Sequence, residues 1–123
     1  MRRETLPLQA RLKLASDFRN VYDNGKAERG KFLVLIALGT EAGRPARAGV
    51  VASRKVGNAV RRNRSKRLLR EAFRKLRMEI PASADLVLVA TRECPRARAL
   101  DVALELRQLL FRAGLLPRQT TDA

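Results

Sequence analysis

Residues 53–77, SRKVGNAVRRNRSKRLLREAFRKLR, contain eleven lysines and arginines but a single acidic residue, Glu71. At about 100° per residue, the apolar residues of this segment fall on one side of a helix and most of its cations on the other. Asn58 is a good N-cap residue and follows Gly57, so we predict a helix from about Asn58 to Arg77. The apolar side must pack against other elements of the fold, and the basic side is left to face solvent or a polyanion.

The two sides of this helix can be specified residue by residue. The predicted core stripe consists of Ser65, Leu68, Leu69, Ala72, Phe73 and Leu76. The opposite side, called here the basic stripe, consists of Asn63, Arg64, Lys66, Arg67, Arg70 and Arg74. Like charges three or four residues apart destabilise an isolated helix by about a few tenths of a kcal/mol per pair. A solvated surface is the ordinary explanation of such a stripe, but so high a charge density favours binding to a polyanion.

The whole chain is strongly basic, with a formal net charge of +15 over 123 residues. Such a charge opposes compaction through self-repulsion, so a polyanionic partner is expected, either nucleic acid or an anionic membrane. No apolar run reaches the roughly 18 residues that a membrane-spanning helix needs, and the start, MRRETLPLQA, lacks the apolar core of a signal peptide. We therefore expect a cytoplasmic protein that binds nucleic acid and has no membrane partner.

The residue types that are missing limit the chemistry of the chain. The sequence has no histidine and one cysteine, Cys94, which excludes the commonest general base and any cysteine-rich zinc site. Arginine predominates over lysine in the basic stripe, and its planar guanidinium binds phosphate through two hydrogen bonds and stacks on bases. Asn63 lies within the stripe and could bond a base edge or a 2′-hydroxyl. These features favour a structured nucleic acid as the partner.

The rest of the chain predicts a small α+β domain with helices packed on a sheet. The predicted elements are a helix at 16–24, strands at 32–38 and 47–53, the basic helix, a strand at 86–90 and a helix at 97–113. Ser16 is the expected N-cap of the first helix and Gly25 its end. The turn-rich loop GTEAGRPAR makes the first two strands a plausible antiparallel hairpin. The last helix should pack through Leu100, Ala103, Leu104, Leu106 and Leu110.

The segment SRKVGNAVRRNRSKRLLREAFR resembles the signature of the bacterial ribonuclease P protein subunit. DFRNVYDNGK is similar to the first helix of that family, and ADLVLVATR to its last strand. The resemblance implies an αβββαβα sandwich with one short strand more than the pattern predicts and a left-handed βαβ crossover through the basic helix. This fold also occurs in a domain of a ribosomal small-subunit protein. We expect one domain at 12–116, with a flexible N-terminus at 1–11 and a flexible tail at 117–123.

The resemblance also implies a function, which is removal of the 5′ leader from precursor tRNA. In this family the partner RNA is the catalyst and binds Mg²⁺, so no catalytic residue or metal ligand is expected in the protein. The implied partners are the ribonuclease P RNA and precursor tRNA, and not DNA. The residues expected to bind the catalytic RNA are Ser53, Arg54, Lys55, Asn58, Arg61, Arg62, Asn63, Arg64, Lys66, Arg67 and Arg70.

A cleft between the first helix and the sheet is implied to hold the leader. Phe18 and Tyr22 would face this cleft, where aromatic rings can stack on single-stranded bases without sequence preference. Lys55 would also contact the leader, together with Leu35, which stands where relatives often have an aromatic residue. An aromatic pair spaced i, i+4 on a short helix is, without the resemblance, more often part of a core.

Three other functions remain to be weighed. A ribosomal-type structural RNA-binding protein is the main alternative, because such proteins are also small and basic. A DNA-binding regulator is disfavoured because a strand, and not a helix-turn-helix partner, precedes the basic helix. A protein-only nuclease lacks an acidic cluster, although Asp17, Asp23 or Glu28 near the cleft could reach Mg²⁺ through water.

Overall fold

The computed structural model describes residues 10–40, 43–80 and 83–116 of the chain. Its helices and strands are, in order, α1 (Ala15–Asn24), β1 (Lys26–Arg29), β2 (Leu33–Gly39), β3 (Arg47–Val51), α2 (Ala59–Leu76), β4 (Ala84–Ala90) and α3 (Ala99–Arg112). Short 3-10 turns lie at Arg54–Val56, Arg77–Glu79 and Cys94–Arg96. The order αβββαβα, including the short extra strand β1, is the one implied by the resemblance, and the α+β class is confirmed.

The four strands form one mixed sheet in the order β1-β2-β4-β3. β1, β2 and β4 are antiparallel neighbours, whereas β3 runs parallel to β4. The predicted antiparallel hairpin of β2 and β3 is therefore wrong, because β4 lies between them. Parallel neighbours need a long crossover connection, and α2 supplies it by carrying the chain from β3 to β4. The left-handed sense of this crossover stays a prediction.

The two faces of the sheet are covered by different helices. Along β2, Leu33, Leu35 and Ala37 belong to the main core with α2 and α3, and the alternate residues turn to the α1 side. Leu35 is completely buried in that main core. The expected leader contact at Leu35 is therefore wrong, because a shift of one residue along a strand moves a side chain to the opposite face. Ile36 and Leu38 are the β2 residues that pack on the α1 side, in the same apolar cluster as Phe18.

Helix α2 packs as predicted. All six residues of the predicted core stripe are buried, including Ser65. The side-chain Oδ1 of Asn58 accepts a hydrogen bond from the Arg61 amide at 3.0 Å, so Asn58 is the N-cap. A cationic face cannot be buried cheaply, and this fixes the rotation of α2 on the sheet.

Helix α3 is rotated relative to the prediction. Leu106 and Leu110 are buried and Ala103 is half-buried, but Leu100 and Leu104 are 63% and 52% exposed. Val102 and Leu109 take their places in the core. The expected packing of the two exposed leucines is wrong because leucines occur on several sides of this helix, so that apolar pattern alone does not define its buried side.

Glu105 anchors α3 to the turn between β1 and β2. Its carboxylate accepts hydrogen bonds from the backbone amides of Lys31, Phe32 and Leu33 at 2.8, 2.7 and 2.9 Å. Gly30 is needed at this turn because an added Cβ would approach the Glu105 carboxylate to 2.5 Å. These contacts fix the rotation of α3, and no local sequence pattern reports a bond between residues more than 70 positions apart.

The N-terminal boundary of the packed domain lies before residue 12. Ala10 is completely buried, and Arg11 forms an isolated parallel bridge with Ala48 at the edge of the sheet. These two residues therefore do not belong to a flexible N-terminus, whereas 1–9 and 117–123 lie outside the described residues. Helix α1 begins at Ala15 with Leu14 as N-cap, so Ser16 lies inside the helix and the expectation that it caps is wrong.

Candidate nucleic-acid interface

The exposed side of α2 carries most of the residues expected to bind RNA. Those exposed to solvent on the helix are Arg61, Asn63, Arg64, Arg67 and Arg70, whereas Arg62 and Lys66 are half-buried. Arg74, at the other end of the basic stripe, is half-buried, and its Nη2 lies 2.9 Å from Glu71 Oε1. No hydrogen bond or ion pair engages Arg67 or Arg70 within the described part of the chain. The open part of the stripe therefore ends at Arg70.

The turn that precedes α2 is built by polar caps. Ser53 Oγ accepts a hydrogen bond from the Lys55 amide at 3.3 Å and caps the 3-10 turn Arg54–Val56. Gly57 follows with φ of +138°, a conformation that side chains disfavour, and a Cβ there would meet Arg61 Cδ at 2.7 Å. The oxygens of Ser53 and Asn58 are thus occupied by the backbone, while Arg54 and Lys55 are exposed.

Arg64 is also held by the protein. Its Nε donates to the Pro95 carbonyl at 2.7 Å and its Nη2 to the Ala97 carbonyl at 3.0 Å. These contacts join α2 to the loop between β4 and α3, which the sequence did not indicate. The guanidinium keeps its positive charge, but two of its donor atoms are used within the fold.

Phe18 lies in the floor of a cleft on the α1 side of the sheet. It packs with Val21 and Val87 of the second apolar cluster, and its ring lies directly against Gly49 of β3. A Cβ on Gly49 would come within 2.2 Å of the Phe18 ring, so only glycine leaves room for it. Tyr22, one turn further along α1, is 47% exposed. Partial burial raises the pKa of the Tyr22 hydroxyl above its ordinary value. Phe18 thus packs in an apolar cluster and Tyr22 faces outward, and leader binding by the two rings stays a prediction.

A pocket of about 180 Å³ connects this cleft with the basic stripe. It is lined by Arg11, Leu12, Phe18, Ala48, Gly49, Val50 and Arg70. Sequence reasoning placed Phe18 and Arg70 in separate sites, one for the leader and one for the catalytic RNA. The structure brings them to one pocket because β3, the strand before α2, forms the edge of the sheet beside α1. The glycine within the strand sequence RAGVV was the one local signal of a close approach.

Two acidic residues on this side of the domain, Asp85 and Asp17, face arginine side chains. Asp85 is buried and accepts two hydrogen bonds from Arg47, at 2.9 and 2.8 Å, and one from Arg44 at 3.1 Å. Arg47 Nη2 also lies 3.8 Å from Asp17 Oδ1 of α1. The hydrogen bonds to Asp85 raise the pKa of the Arg47 guanidinium. Asp17, considered above for Mg²⁺, therefore faces a cation.

Neither a metal cluster nor a membrane-spanning helix is found in the ranges that the structure describes. There, no group of three or more histidine, cysteine, aspartate or glutamate side chains could hold a metal ion together. None of the described helices is both long enough and apolar enough to cross a bilayer.

Comparison with known proteins identifies the family. Residues 6–114 match the family model described as Ribonuclease P. The chain is 46% identical over 116 residues to the ribonuclease P protein component of Desulfovibrio desulfuricans, covering 91% of this chain and 88% of that one. It is 42% identical to the same component of Symbiobacterium thermophilum, covering 89% and 95% of the two chains.

Solved structures agree with this match. The RNase P protein of Staphylococcus aureus superimposes with a TM-score of 0.77 at 27% identity, covering 88% of this chain and 98% of that chain. The RNase P protein of Thermotoga maritima gives a TM-score of 0.71 at 34% identity, covering 83% and 96%. On the family match, the identity to these relatives and the shared fold, the chain belongs to the ribonuclease P protein family.

Proposed function

We propose that this chain is the protein subunit of a cytoplasmic ribonuclease P and assists its catalytic RNA in removing the 5′ leader from precursor tRNA. One observation carries the proposal beyond family membership. The pocket that joins the Phe18 ring to Arg70 offers an aromatic surface and a phosphate-binding cation within one space. A single RNA strand has both groups that such a pocket binds, stacking bases and a charged backbone.

The exposed part of the basic stripe is the proposed docking surface for the catalytic RNA. Arg61, Arg67 and Arg70 of α2, with Arg54 and Lys55 from the preceding turn, present charge to solvent. Each phosphate they neutralise releases condensed counterions from the RNA. If roughly six to eight phosphates are contacted, the logarithm of affinity should fall against the logarithm of salt with a slope of about −4 to −7.

The cleft on the α1 side is the proposed site of the leader. Phe18 lies in its floor and packs in the same apolar cluster as the half-buried sheet residues Ile36, Val51 and Val89. Tyr22 lies outside this floor with nearly half of its surface free to stack on a base. Mature tRNA has no leader to place in the cleft. Contacts there would therefore increase affinity for the precursor and leave affinity for the product unchanged.

We assign the chemical step to the RNA and no catalytic residue to this chain. Mg²⁺ would be bound mainly by RNA phosphates, and the protein would reduce the repulsion between the catalytic RNA and its substrate. Less Mg²⁺ would then be needed to screen the same charges. The complex as a whole would be the endonuclease.

Reconstitution tests this proposal. Purified protein is mixed with a bacterial ribonuclease P RNA and a precursor tRNA with a 5′ extension at low Mg²⁺, alongside protein-only and RNA-only controls. We expect leader removal that requires both components. Cleavage no better than that of RNA alone, by protein shown to be folded, would contradict the proposal and favour a ribosomal-type RNA-binding role. Cleavage by protein alone would show that the assignment of the chemistry is wrong.

A further inference from the structure

The loop between β4 and α3 is fixed against the basic stripe by one side chain. Arg64 of α2 donates to the carbonyls of Pro95 and Ala97, which lie in and just after the 3-10 turn Cys94–Arg96. The turn is closed by its own backbone bonds, from Cys94 N to Thr91 O at 3.1 Å and from Ala97 N to Cys94 O at 3.0 Å. Residues 91–98, called here the basic loop, therefore have a defined position relative to α2.

This position adds cations to the surface of the basic stripe. Arg96 lies between the two residues whose carbonyls bind Arg64, and Arg92 lies near the start of the loop. Both are exposed, and within the described ranges no hydrogen bond or ion pair engages either side chain. Arg98 differs because it pairs with Asp101 at 3.3 Å. Glu93 is the single acidic residue within the loop sequence TRECPRAR.

The arrangement concentrates like charge on neighbouring parts of the surface. Arg61, Arg64 and Arg67 follow each other at intervals of three residues along α2, so they are neighbours on the helix surface. Arg96 lies between the two residues whose carbonyls are bonded to Arg64 of this row, so its backbone is fixed close to the row. Cations fixed at such spacing repel one another in the free protein, whereas a polyanion with regularly spaced phosphates would bind all of them. Because the loop is already ordered, little conformational entropy would be lost on binding.

We propose that the basic loop is a second RNA-binding element, continuous with the basic stripe, in which Arg92 and Arg96 contact RNA phosphates. Arg64 is the positioning residue of this element, since its two hydrogen bonds hold the loop where those cations can act. The inference rests on the proposed function, and it adds a segment outside the signature of residues 53–77. Its ligand is the phosphodiester backbone of the catalytic RNA, because Arg64 joins the loop to the stripe proposed above as the docking surface for that RNA.

Neutralising the loop tests the first part of the proposal. The double variant Arg92→Gln/Arg96→Gln is compared with a control, Lys13→Gln/Arg19→Gln. The control removes one exposed cation just before α1 and one on α1. Binding to ribonuclease P RNA is measured at several salt concentrations, and holoenzyme binding to precursor and mature tRNA is measured separately. We expect the loop variant to lose about tenfold in affinity for ribonuclease P RNA, with a salt slope shallower by roughly 1.4 to 1.8, and the holoenzyme to bind both tRNAs as it does with the control variant.

The outcomes separate this inference from the proposed function. A loss in binding to the catalytic RNA would support the inference, whereas a loss in tRNA binding alone would overturn it and assign the loop to the tRNA backbone. If the loop variant matches its control in every measurement and keeps the wild-type salt slope, the inference is overturned. The proposed function would still stand in that case, because the wild-type protein would bind RNA and stimulate cleavage.

Two substitutions at Arg64 test its positioning role. Arg64→Lys keeps the charge but replaces the rigid two-nitrogen donor by a single ammonium, and Arg64→Gln removes the charge. We expect both variants to weaken RNA binding by a similar factor and to increase amide hydrogen exchange at Cys94 and Ala97. If Arg64→Lys binds and exchanges like the wild type while Arg64→Gln is impaired, Arg64 is a simple charge contact and the positioning role is wrong.

Discussion

Helices α2 and α3 pack on the same face of the sheet, yet their outer surfaces are opposite in character. Helix α2 has eight basic residues and one acidic residue, and its exposed side is mostly arginine, although Val60 is also exposed. Helix α3 has two basic and two acidic residues and exposes Leu100, Leu104 and Phe111. Both helices bury one side in the same core, but their exposed sides do not have the same role. We infer that RNA binding is concentrated on α2 and that α3 serves mainly to complete the core.

The largest effect is expected from removing the side chain that anchors α3. Glu105→Ala removes the acceptor of three backbone amides, two of them partly buried, and should lower the free energy of unfolding by about 2–4 kcal/mol. Urea denaturation measures the change. The exposed Glu93→Ala is the matched control and should stay within about 0.5 kcal/mol of the wild type. Equal stabilities for the two variants would contradict the anchoring role.

RNA affinity should depend on the exposed cations of α2. Arg67→Gln/Arg70→Gln removes two exposed, unengaged cations and should weaken binding to ribonuclease P RNA by roughly thirtyfold, with a salt slope shallower by about 1.4 to 1.8. Stability should change little, because like-charge repulsion along α2 is relieved. Arg112→Gln on α3 is the control. If its loss of binding free energy reached half that of the double variant, RNA binding would not be concentrated on α2.

An uncharged side chain on α1 tests whether a contact outside α2 acts on the precursor alone. Tyr22→Leu removes an exposed aromatic ring but keeps an apolar side chain, and should cost about 1 kcal/mol of precursor affinity through lost stacking. Binding of mature tRNA by the holoenzyme should not change. The measurement is the ratio of the two dissociation constants. A parallel loss for both tRNAs would show that Tyr22 does not act through the leader.

The smallest effect is expected on the outer side of α3. Leu100→Gln and Leu104→Gln replace leucines that are largely exposed, and each should change the free energy of unfolding by less than about 0.5 kcal/mol. RNA affinity should also stay the same. Leu106→Gln, by contrast, places an amide at a completely buried position and should destabilise the fold severely. Loss of RNA binding in the Leu100 variant at unchanged stability would assign a role to this face.

The two helices also differ in how well the sequence predicted them. For α2 the buried side, the N-cap at Asn58 and the open cations all followed from the sequence, because charge forbids one side of the helix from being buried. For α3 the apolar pattern allowed more than one rotation, and the carboxylate of Glu105 selects the one observed. That choice depends on a turn more than 70 residues away in the chain, which periodicity cannot report.

Non-local pairing limited the prediction of the site as well. Phe18 and Arg70 were expected to bind RNA at separate sites, but the sequence could not show that β3 brings them into one pocket. The position of β4 between β2 and β3 was missed, since a turn-rich loop favours a hairpin on local grounds. Leu35 was assigned to the wrong face because a strand with apolar residues on both sides gives no local signal of which side faces the cleft.

The most direct test of the central claim is the salt dependence of binding between the unmodified protein and a ribonuclease P RNA. If the open cations of α2 and its preceding turn dock on RNA phosphates, the plot of log affinity against log salt should have a slope of about −4 to −7. A slope near −1 would mean that about one phosphate is neutralised, and would contradict the claim that the charge on α2 is there to bind RNA.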